Sequence, residues 1–245
     1  MRLKDKVAIV TGAAHGMGEA EARLFAQEGA KVVVADVLGE QAEAVAANIR
    51  AGGGEAIAAT IDVTSEPAWV ALIEKTVACY GRLDILVNNA GISGSSVGDP
   101  DGLDGWHRII AVNQTSVFLG TKLAAEQMAK TGGGSIVNIS SKASLHPTSF
   151  TVVYAAAKAG LNALTKAAAS EFGPRGIRVN AIVCGTFHTD SLHASIPTEA
   201  LQSQMAGNIS LGRIASADEI VGTALFLASD AASYLTGELI TLDGG

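Results

Sequence analysis

The stretch VAIVTGAAHGMG, residues 7–18, decides the fold of this chain. An apolar, β-branched run predicts a strand over residues 7–11, and an Ala-rich run closed by Gly29 predicts a helix over 19–28. Between them, glycines permit a tight turn and let the backbone approach a pyrophosphate above the start of the helix. A lone glycine-rich turn is weak evidence, but here it lies between a strand and a helix, as the motif requires.

The alternation of strand and helix continues along the whole chain. Further strands are predicted at 31–36, 56–62, 83–88, 134–140, 178–183 and 238–242, and helices at 40–51, 66–80, 106–130, 153–172 and 217–228. The strands are continuous apolar runs, which is typical of parallel strands buried on both faces. We therefore predict an α/β fold, a Rossmann-like doubly wound sheet of seven parallel strands flanked by helices, in a single domain over 1–245. The segment 186–210 fits no strand pattern and is expected to be a functional loop.

Composition excludes several classes of function. The 245 residues carry a net charge of −7 without a cluster of Lys and Arg, so nucleic-acid binding is not expected. No signal peptide or apolar run of about 18 residues is present, so we expect no membrane partner and a cytoplasmic location. Cys79 and Cys184 have neither CxxC nor metal-ligand spacing, and no metal site is predicted.

Asp36 at the end of the second strand indicates which dinucleotide the chain prefers. It follows Gly18 by eighteen residues (36 − 18), where an acidic side chain can accept hydrogen bonds from the adenosine ribose. It would also repel a 2′-phosphate, and Val37 and Leu38 offer no positive charge to such a group. The sequence therefore favours NAD over NADP. The alternative is that Asp36 only caps the following turn.

Other candidates for cofactor binding lie where strands end at the same edge of the sheet. Asp62, with the Val63 backbone, could reach the adenine amino group, and small residues after the fourth strand would let a ribose lie against the backbone. Asn and Gly also occur in ordinary turns. The full set of predicted cofactor contacts in these turns is Gly12, His15, Gly16, Met17, Gly18, Asp36, Asp62, Val63, Asn89, Ala90 and Gly91.

Tyr154 and Lys158 carry the strongest chemical signal. They are four residues apart and share one face of a predicted helix. An ammonium beside a phenol favours the phenolate, so we expect Lys158 to lower the pKa of Tyr154 and make it an acid or base. Ser141 lies thirteen residues earlier (154 − 141), with Ser140 as the neighbouring alternative. Taken alone, the Tyr-x-x-x-Lys pair would more often be an ordinary surface pair.

Together with the turn over residues 11–18, Asp62 and the Asn88-Asn89-Ala90-Gly91 run, these residues resemble the classical short-chain dehydrogenase/reductase family over essentially the whole chain. The resemblance implies NAD(P)-dependent oxidoreduction of an alcohol or carbonyl, and a homotetramer. It assigns a catalytic tetrad to Asn113, Ser141, Tyr154 and Lys158, and nicotinamide ribose binding to the last two. It also gives carboxamide contacts to Phe187 and Thr189. The chain departs from the family at Cys184, where the family has proline before Gly185.

Substrate contacts are expected from loops at the carboxyl edge of the sheet. The main candidates are Ser141, Ala143, Phe150, Tyr154 and His188, and the wider set adds Ser93, Lys142, His146, Val153, Phe187 and Leu192. Most are small or apolar, which favours a neutral secondary alcohol or ketone, cyclic or hydroxysteroid-like. The alternatives are a 3-oxoacyl-carrier-protein reductase, a non-catalytic NAD-binding sensor and a structural oligomer module.

Overall fold

Seven parallel strands form one sheet with the first strand near its centre. The strands are β1 (Val7–Thr11), β2 (Lys31–Asp36), β3 (Glu55–Thr60), β4 (Ile85–Asn88), β5 (Gly134–Ser141), β6 (Ile177–Cys184) and β7 (Leu239–Leu242). Their order is β3-β2-β1-β4-β5-β6-β7, and every pairing is parallel. The order reverses between β1 and β4, which opens a crevice at the carboxyl ends of the strands. The predicted Rossmann-like fold is confirmed.

The computed structural model describes residues 1–94, 102–149, 151–189 and 198–245. Its α-helices are α1 (Gly16–Gln27), α2 (Gly39–Ala51), α3 (Glu66–Tyr80), α4 (Gly102–Ile110), α5 (Ser116–Met128), α6 (Val152–Phe172), α7 (Glu199–Ala206) and α8 (Val221–Ala228). None of the described helices is both long and apolar enough to cross a membrane. Because α7 lies within residues 186–210, part of the segment that was expected to be a loop is helical.

Helices cover both faces of the sheet and bury two apolar clusters. On one face, α1 packs over β1 and β2, α2 over β2 and β3, and α8 over β5 and β6, and Ala22, Phe25 and Ala224 are fully buried there. On the other face, α3 and α5 pack around Trp69 and Met128. Because most helix residues that meet the sheet are alanine or another small residue, the helices approach closely without large side chains.

The helix predicted over 106–130 is interrupted at its middle. The structure has α4, then a π-helical turn over Ala111–Thr115, then α5. The amide of Asn113 donates to the carbonyl of Ile109 at 3.1 Å, one helical turn earlier, and to that of Ile92 at 2.8 Å. This side chain therefore competes for the helix's own acceptor, which accounts for the widened turn.

Candidate functional site

The glycine-rich turn between β1 and α1 is packed so tightly that it excludes side chains. Gly12 and Gly16 both have positive φ, 63° and 61°. A Cβ on Gly12 would lie 2.8 Å from the Cα of Ala90, and one on Gly18 would collide with the carbonyl oxygen of Gly12. Only glycine satisfies this geometry, and the turn leaves the start of α1 open to an anion.

Asn89 fixes this turn from the neighbouring strand. Its amide donates to the carbonyls of Thr11 and Gly12 at 2.9 and 3.0 Å. The hydroxyl of Thr11 accepts from the backbone amides of Asn89 and Ala90, both at 3.1 Å. The sequence predicts that Asn89 contacts a cofactor directly. In the structure, its side-chain amide donates to the carbonyls of the glycine-rich turn and holds that turn in place.

The space above the turn is open, and its far side is formed by the segment after β6. Among the described residues, a Cβ on Gly16 would meet a single atom within 4 Å, the methyl carbon of Thr189 at 3.9 Å. This segment is held in place because His188 donates its backbone amide to Ala215 at 2.8 Å, and Ala215 donates to Thr186 at 3.1 Å. Phe187 is buried, whereas His188 is exposed. The predicted phosphate and carboxamide contacts thus border one crevice, with His15 and Met17 at its helix side.

The Asp36 carboxylate makes two backbone contacts and still has room for further hydrogen bonds. Its carboxylate accepts the backbone amides of Ala14 and Leu38, each at 3.0 Å. The second contact is the turn cap that was the alternative interpretation, and the first ties β2 to the glycine-rich turn. A carboxylate offers about four acceptor sites, so it retains capacity for two ribose hydroxyls.

Asp62 lies beyond β3, which ends at Thr60 rather than at residue 62 as predicted. Thr64 donates its hydroxyl and its backbone amide to Asp62, at 2.7 and 2.9 Å, and these bonds lower the pKa of that carboxyl. The Val63 carbonyl accepts the indole N–H of Trp69 at 2.8 Å. Both residues are therefore held in place by hydrogen bonds in the loop that follows β3.

Tyr154 and Ser141 meet at the carboxyl end of β5. Tyr154 remains partly accessible, but the pKa of its phenol is raised to about 12. Burial is the largest cause, a hydrogen bond with Ser141 opposes it, and Cys184 adds to it. The expectation that the pKa of Tyr154 is lowered is wrong for the protein alone, because burial is the largest influence on it. The Lys158 nitrogen lies 5.7 Å from the centre of the Tyr154 ring.

Lys158 is buried below Tyr154 and pointed at β5. Its ammonium donates to the Ile139 carbonyl at 2.7 Å, and burial lowers its pKa to about 8. The Cys184 thiol, as a potential anion, opposes part of this shift. An ammonium poised near neutral pH is sensitive to any hydroxyl or charge that enters the crevice.

Asn113 leaves one acceptor unused beside Lys158. Its side chain is fully buried, and its Oδ1 has no hydrogen-bond partner among the described residues. A Cβ built on Gly91 would lie 2.9 Å from this oxygen and 3.6 Å from the Lys158 nitrogen. The two groups therefore converge on Gly91, and the orphan oxygen marks a place for a donor such as water.

The structure distinguishes the two candidate serines. Ser140 donates to the Asn162 side chain at 2.6 Å inside the protein, whereas Ser141 bonds to Tyr154. Ser141 also accepts the Ala143 backbone amide at 3.2 Å. This geometry favours Ser141 for the substrate-facing role.

The substrate candidates have different surroundings. Val153 is buried in a cluster with Ile109, and Lys142 forms an ion pair with Asp243 at 2.8 Å. His146 and Ser93 are exposed at the edge of the crevice. Phe150 and Leu192 lie outside the described residues.

Two buried side chains near the site were not singled out as functional. Asn162 bridges Ser140 and Ser144, and Glu21 is completely buried on α1. Helical spacing contains a signal for Glu21, because the buried stripe of α1 runs through Gly18, Glu21, Ala22, Phe25 and Ala26. Cys184 is a free, buried thiol whose pKa burial raises to about 12.

Four features of the crevice fit a dinucleotide. The start of α1 is open, closely packed glycines form the turn before it, and the acidic Asp36 ends β2. The unpartnered Oδ1 of Asn113 lies beside the buried Lys158. Comparison with known proteins agrees. A family model described as enoyl-(acyl carrier protein) reductase matches residues 12–245. A solved structure from Sinorhizobium meliloti, described as a candidate short-chain alcohol dehydrogenase, is 37% identical with a TM-score of 0.94, over 99% of this chain and 96% of that one.

Three curated relatives align with this chain over its whole length. The 2,5-dichloro-2,5-cyclohexadiene-1,4-diol dehydrogenase LinX of Sphingobium indicum is 44% identical and is covered to 97%. The trans-4-hydroxycyclohexanecarboxylate dehydrogenase of Sinomonas cyclohexanicum is 43% identical and covered to 93%. The 3-oxoacyl-[acyl-carrier-protein] reductase FabG of Thermotoga maritima is 38% identical and covered to 99%.

Proposed function

Because this chain belongs to the classical short-chain dehydrogenase/reductase family and is an alcohol-type oxidoreductase, we propose that it interconverts a cyclic secondary alcohol and its ketone with NAD. The observation that carries the proposal is the hydrogen-bonded Ser141 and Tyr154 above the buried Lys158, next to an open dinucleotide crevice. Such a group of residues is needed for proton transfer and is of no use to a purely structural module.

The residues divide the chemistry between them. Tyr154 takes the hydroxyl proton during oxidation and returns it during reduction. Ser141 holds the substrate oxygen and stabilises negative charge that develops on it. When bound, the nicotinamide supplies the hydride acceptor, and its positive charge opposes the burial that raises the Tyr154 pKa.

Lys158 and Asn113 complete the proposed proton path. The Lys158 ammonium would bind the ribose hydroxyls of the cofactor and favour the phenolate once both are present. The orphan Oδ1 of Asn113 would hold a water that links Lys158 to solvent. Glycine at position 91 leaves the room that this water needs, since a Cβ would occupy the space between the two groups.

Asp36 supports the choice of NAD. Its carboxylate is fixed by two backbone amides at the end of β2, where a 2′-phosphate would be placed against a negative charge. Asp36→Ala should therefore raise the NADP over NAD ratio of kcat/KM by about tenfold or more, equivalent to about 1.4 kcal/mol. Asp36→Asn serves as the matched variant, because it removes the charge but retains one acceptor. An unchanged ratio in both variants would remove Asp36 from this role.

A ring-shaped substrate is supported by the named relatives and by the candidate pocket. Two full-length relatives are named as dehydrogenases of ring alcohols. The substrate contacts predicted from the sequence include the small or apolar residues Ala143 and Phe150. An apolar pocket favours a neutral ring over a charged or phosphorylated substrate.

The rival substrate is an acyl group on a carrier protein. The likeness to FabG and the description of the family model favour it. Carrier-protein docking benefits from a basic surface patch, and the sequence has none. Asp36 also argues against it, as it does against NADP use.

A substrate panel decides between these candidates. We would follow NADH formation and loss with cyclohexanols, hydroxycyclohexane carboxylates, hydroxysteroids, linear secondary alcohols and 3-oxoacyl thioesters, each with NAD and NADP. The proposal expects ring alcohols with NAD to give the highest kcat/KM. Preferred reduction of 3-oxoacyl thioesters would establish the rival, and NADH binding with no turnover on any class would favour a non-catalytic sensor.

A further inference from the structure

Glu21 is an acidic side chain placed where a helix normally puts an apolar one. It lies on α1 five residues after Gly16, on the stripe that faces the sheet, and none of its surface is exposed. Neither carboxyl oxygen has a hydrogen-bond partner among the described residues. A buried ionised carboxylate without a donor or a cation is strongly unfavourable, so the acid is stable here only in its protonated form.

In the part of the chain that the structure describes, the elements around α1 bring no cation to this carboxyl. Helix α1 packs against β1, β2, α2, α8 and the short turn Ala217–Glu219. Neither β1 nor α8 contains an ionisable residue. The ionisable residues on the other elements either have partners of their own or are exposed. Three form ion pairs: Lys31 with Glu55, Glu43 with Arg50, and Glu219 with Arg213. Asp36 accepts backbone amides, and Glu40 and Asp218 are exposed.

Cys184 at the end of β6 is the ionisable group coupled to Glu21. Burial is the main cause that raises the thiol pKa, and the charge of Glu21 is the second. Two neighbours of Glu21 on the helix, Ala22 and Phe25, belong to the same buried cluster as Cys184 and Phe187. Glu21 therefore lies within the packing that joins the phosphate-binding helix to the turn expected to hold the carboxamide.

We propose that Glu21 is a positioning residue for the dinucleotide: its neutral form lets α1 and the turn after β6 pack together, and its ionised form weakens cofactor binding. The inference rests on the proposed function, since it concerns the same crevice. Once ionised, the carboxylate must draw in water or turn toward solvent, and either movement disturbs the packing of α1 in the buried cluster that includes Cys184 and Phe187. A negative charge near the start of α1 also opposes the pyrophosphate expected there.

The raised pKa of Glu21, about 8, sets where this effect should occur. Below that pH the acid is neutral and the crevice is intact; above it the folded protein carries a buried charge. Glu21→Gln preserves the shape of the neutral acid and cannot ionise. Glu19→Gln makes the same change on the same helix at a residue that is paired with Arg23 near the surface, and it is the matched control.

The test is the dissociation constant of NADH, read from its fluorescence with purified wild-type, Glu21→Gln and Glu19→Gln proteins from about pH 6 to about pH 9.5. Wild type and Glu19→Gln should lose about tenfold in affinity more than Glu21→Gln does across this range. Titration of Lys158 is common to all three proteins and cancels in the comparison. If Glu21→Gln folds poorly, Glu21→Met supplies an uncharged side chain of similar length, and it should show the same flat profile.

An identical pH profile in wild type and Glu21→Gln would overturn the inference, as would a flattened profile in Glu19→Gln. Failure of the proposed function would be seen differently: the wild type would not bind NADH at any pH, or would bind it without turning over any alcohol.

Discussion

At the scale of single residues, Tyr154 shows how much the surroundings govern chemistry. Its spacing from Lys158 predicts a depressed phenol pKa, yet burial raises the pKa to about 12 in the protein without ligand. Desolvation acts on the phenolate directly, whereas the Lys158 ammonium donates to the Ile139 carbonyl. Activation of Tyr154 therefore requires charge that arrives with the cofactor, and alcohol oxidation is expected to accelerate as pH rises.

Tyr154→Phe tests the acid–base role. The variant should reduce kcat for alcohol oxidation by about 10²–10⁴-fold, the usual contribution of a general base. NADH affinity should change little, because the ring and its packing are retained. Tyr234→Phe, at a fully exposed tyrosine, is the control and should behave as wild type. Turnover near the wild-type rate in Tyr154→Phe would contradict the assignment.

Gly91→Ala tests whether Asn113 and Lys158 share a water site. A methyl group at this position would lie 2.9 Å from the Asn113 oxygen, too close without movement. Since Gly91 has no positive φ, alanine should not strain the backbone. We expect a loss of about tenfold or more in kcat, together with a lower unfolding temperature because the buried Asn113 side chain must shift.

Gly222→Ala is the matched control for this change. No atom lies within 4 Å of the added methyl there, on helix α8. It should leave kcat intact and raise stability slightly, because alanine is the better helix former. Equal kcat values in the two variants would argue against a functional role for the space at Gly91.

At the scale of elements, the predicted and observed secondary structures agree where one pattern of apolar residues extends over the whole element. All seven strands were predicted because apolar runs in a parallel sheet are uninterrupted, and the glycine-rich turn was found because its residues are local in sequence. A polar residue at position 113 already suggests an interruption of the long helix, but the π-helical form of the break at Ala111–Thr115 depends on Asn113 reaching Ile92, a contact between distant residues. The burial of Glu21 also depends on tertiary packing, although its position on the apolar stripe of α1 already indicates that the side chain is buried.

The stability of α1 against the sheet should depend on pH through Glu21. The carboxyl pKa is raised from 4.5 to about 8, so the folded state binds the proton more tightly than the unfolded state between these values. The free energy of unfolding should therefore fall as pH rises from 4.5 to about 8 and level off above it. Each pKa unit corresponds to about 1.4 kcal/mol.

Glu21→Gln should remove this pH dependence of the free energy of unfolding. Without cofactor, the variant should match wild type near pH 5 and exceed its unfolding free energy by about 2 kcal/mol or more near pH 9. Urea unfolding at several pH values, with Glu19→Gln for comparison, measures the difference. A constant gap between wild type and Glu21→Gln at every pH would show that Glu21 does not ionise in this range.

At the scale of the whole molecule, exposed apolar side chains fit the assembly that the family resemblance predicts. The helical segment that includes α4 and α5 exposes Leu103, Trp106 and Phe118, the last with 49% of its surface accessible. Large exposed apolar residues on paired helices are characteristic of subunit interfaces. We therefore retain the homotetramer as a prediction.

Phe118→Glu tests this surface. Light scattering after gel filtration should give four chains for the wild type and fewer for the variant, because a charge at an apolar interface is costly. Val70→Glu, at a comparably exposed apolar residue on α3, is a control for the effect of charge alone. A wild-type monomer, or an unchanged tetramer in Phe118→Glu, would exclude this segment as the interface.

Direct hydride transfer from a secondary alcohol to NAD is the reaction on which the proposed function depends. The most direct measurement uses a cyclohexanol carrying deuterium on its carbinol carbon, with analysis of the reduced cofactor by mass spectrometry. We predict that the deuterium is recovered on the nicotinamide ring and that Tyr154→Phe forms this product far more slowly. Deuterium released to solvent, or deuterated NADPH formed in preference to deuterated NADH, would contradict the account.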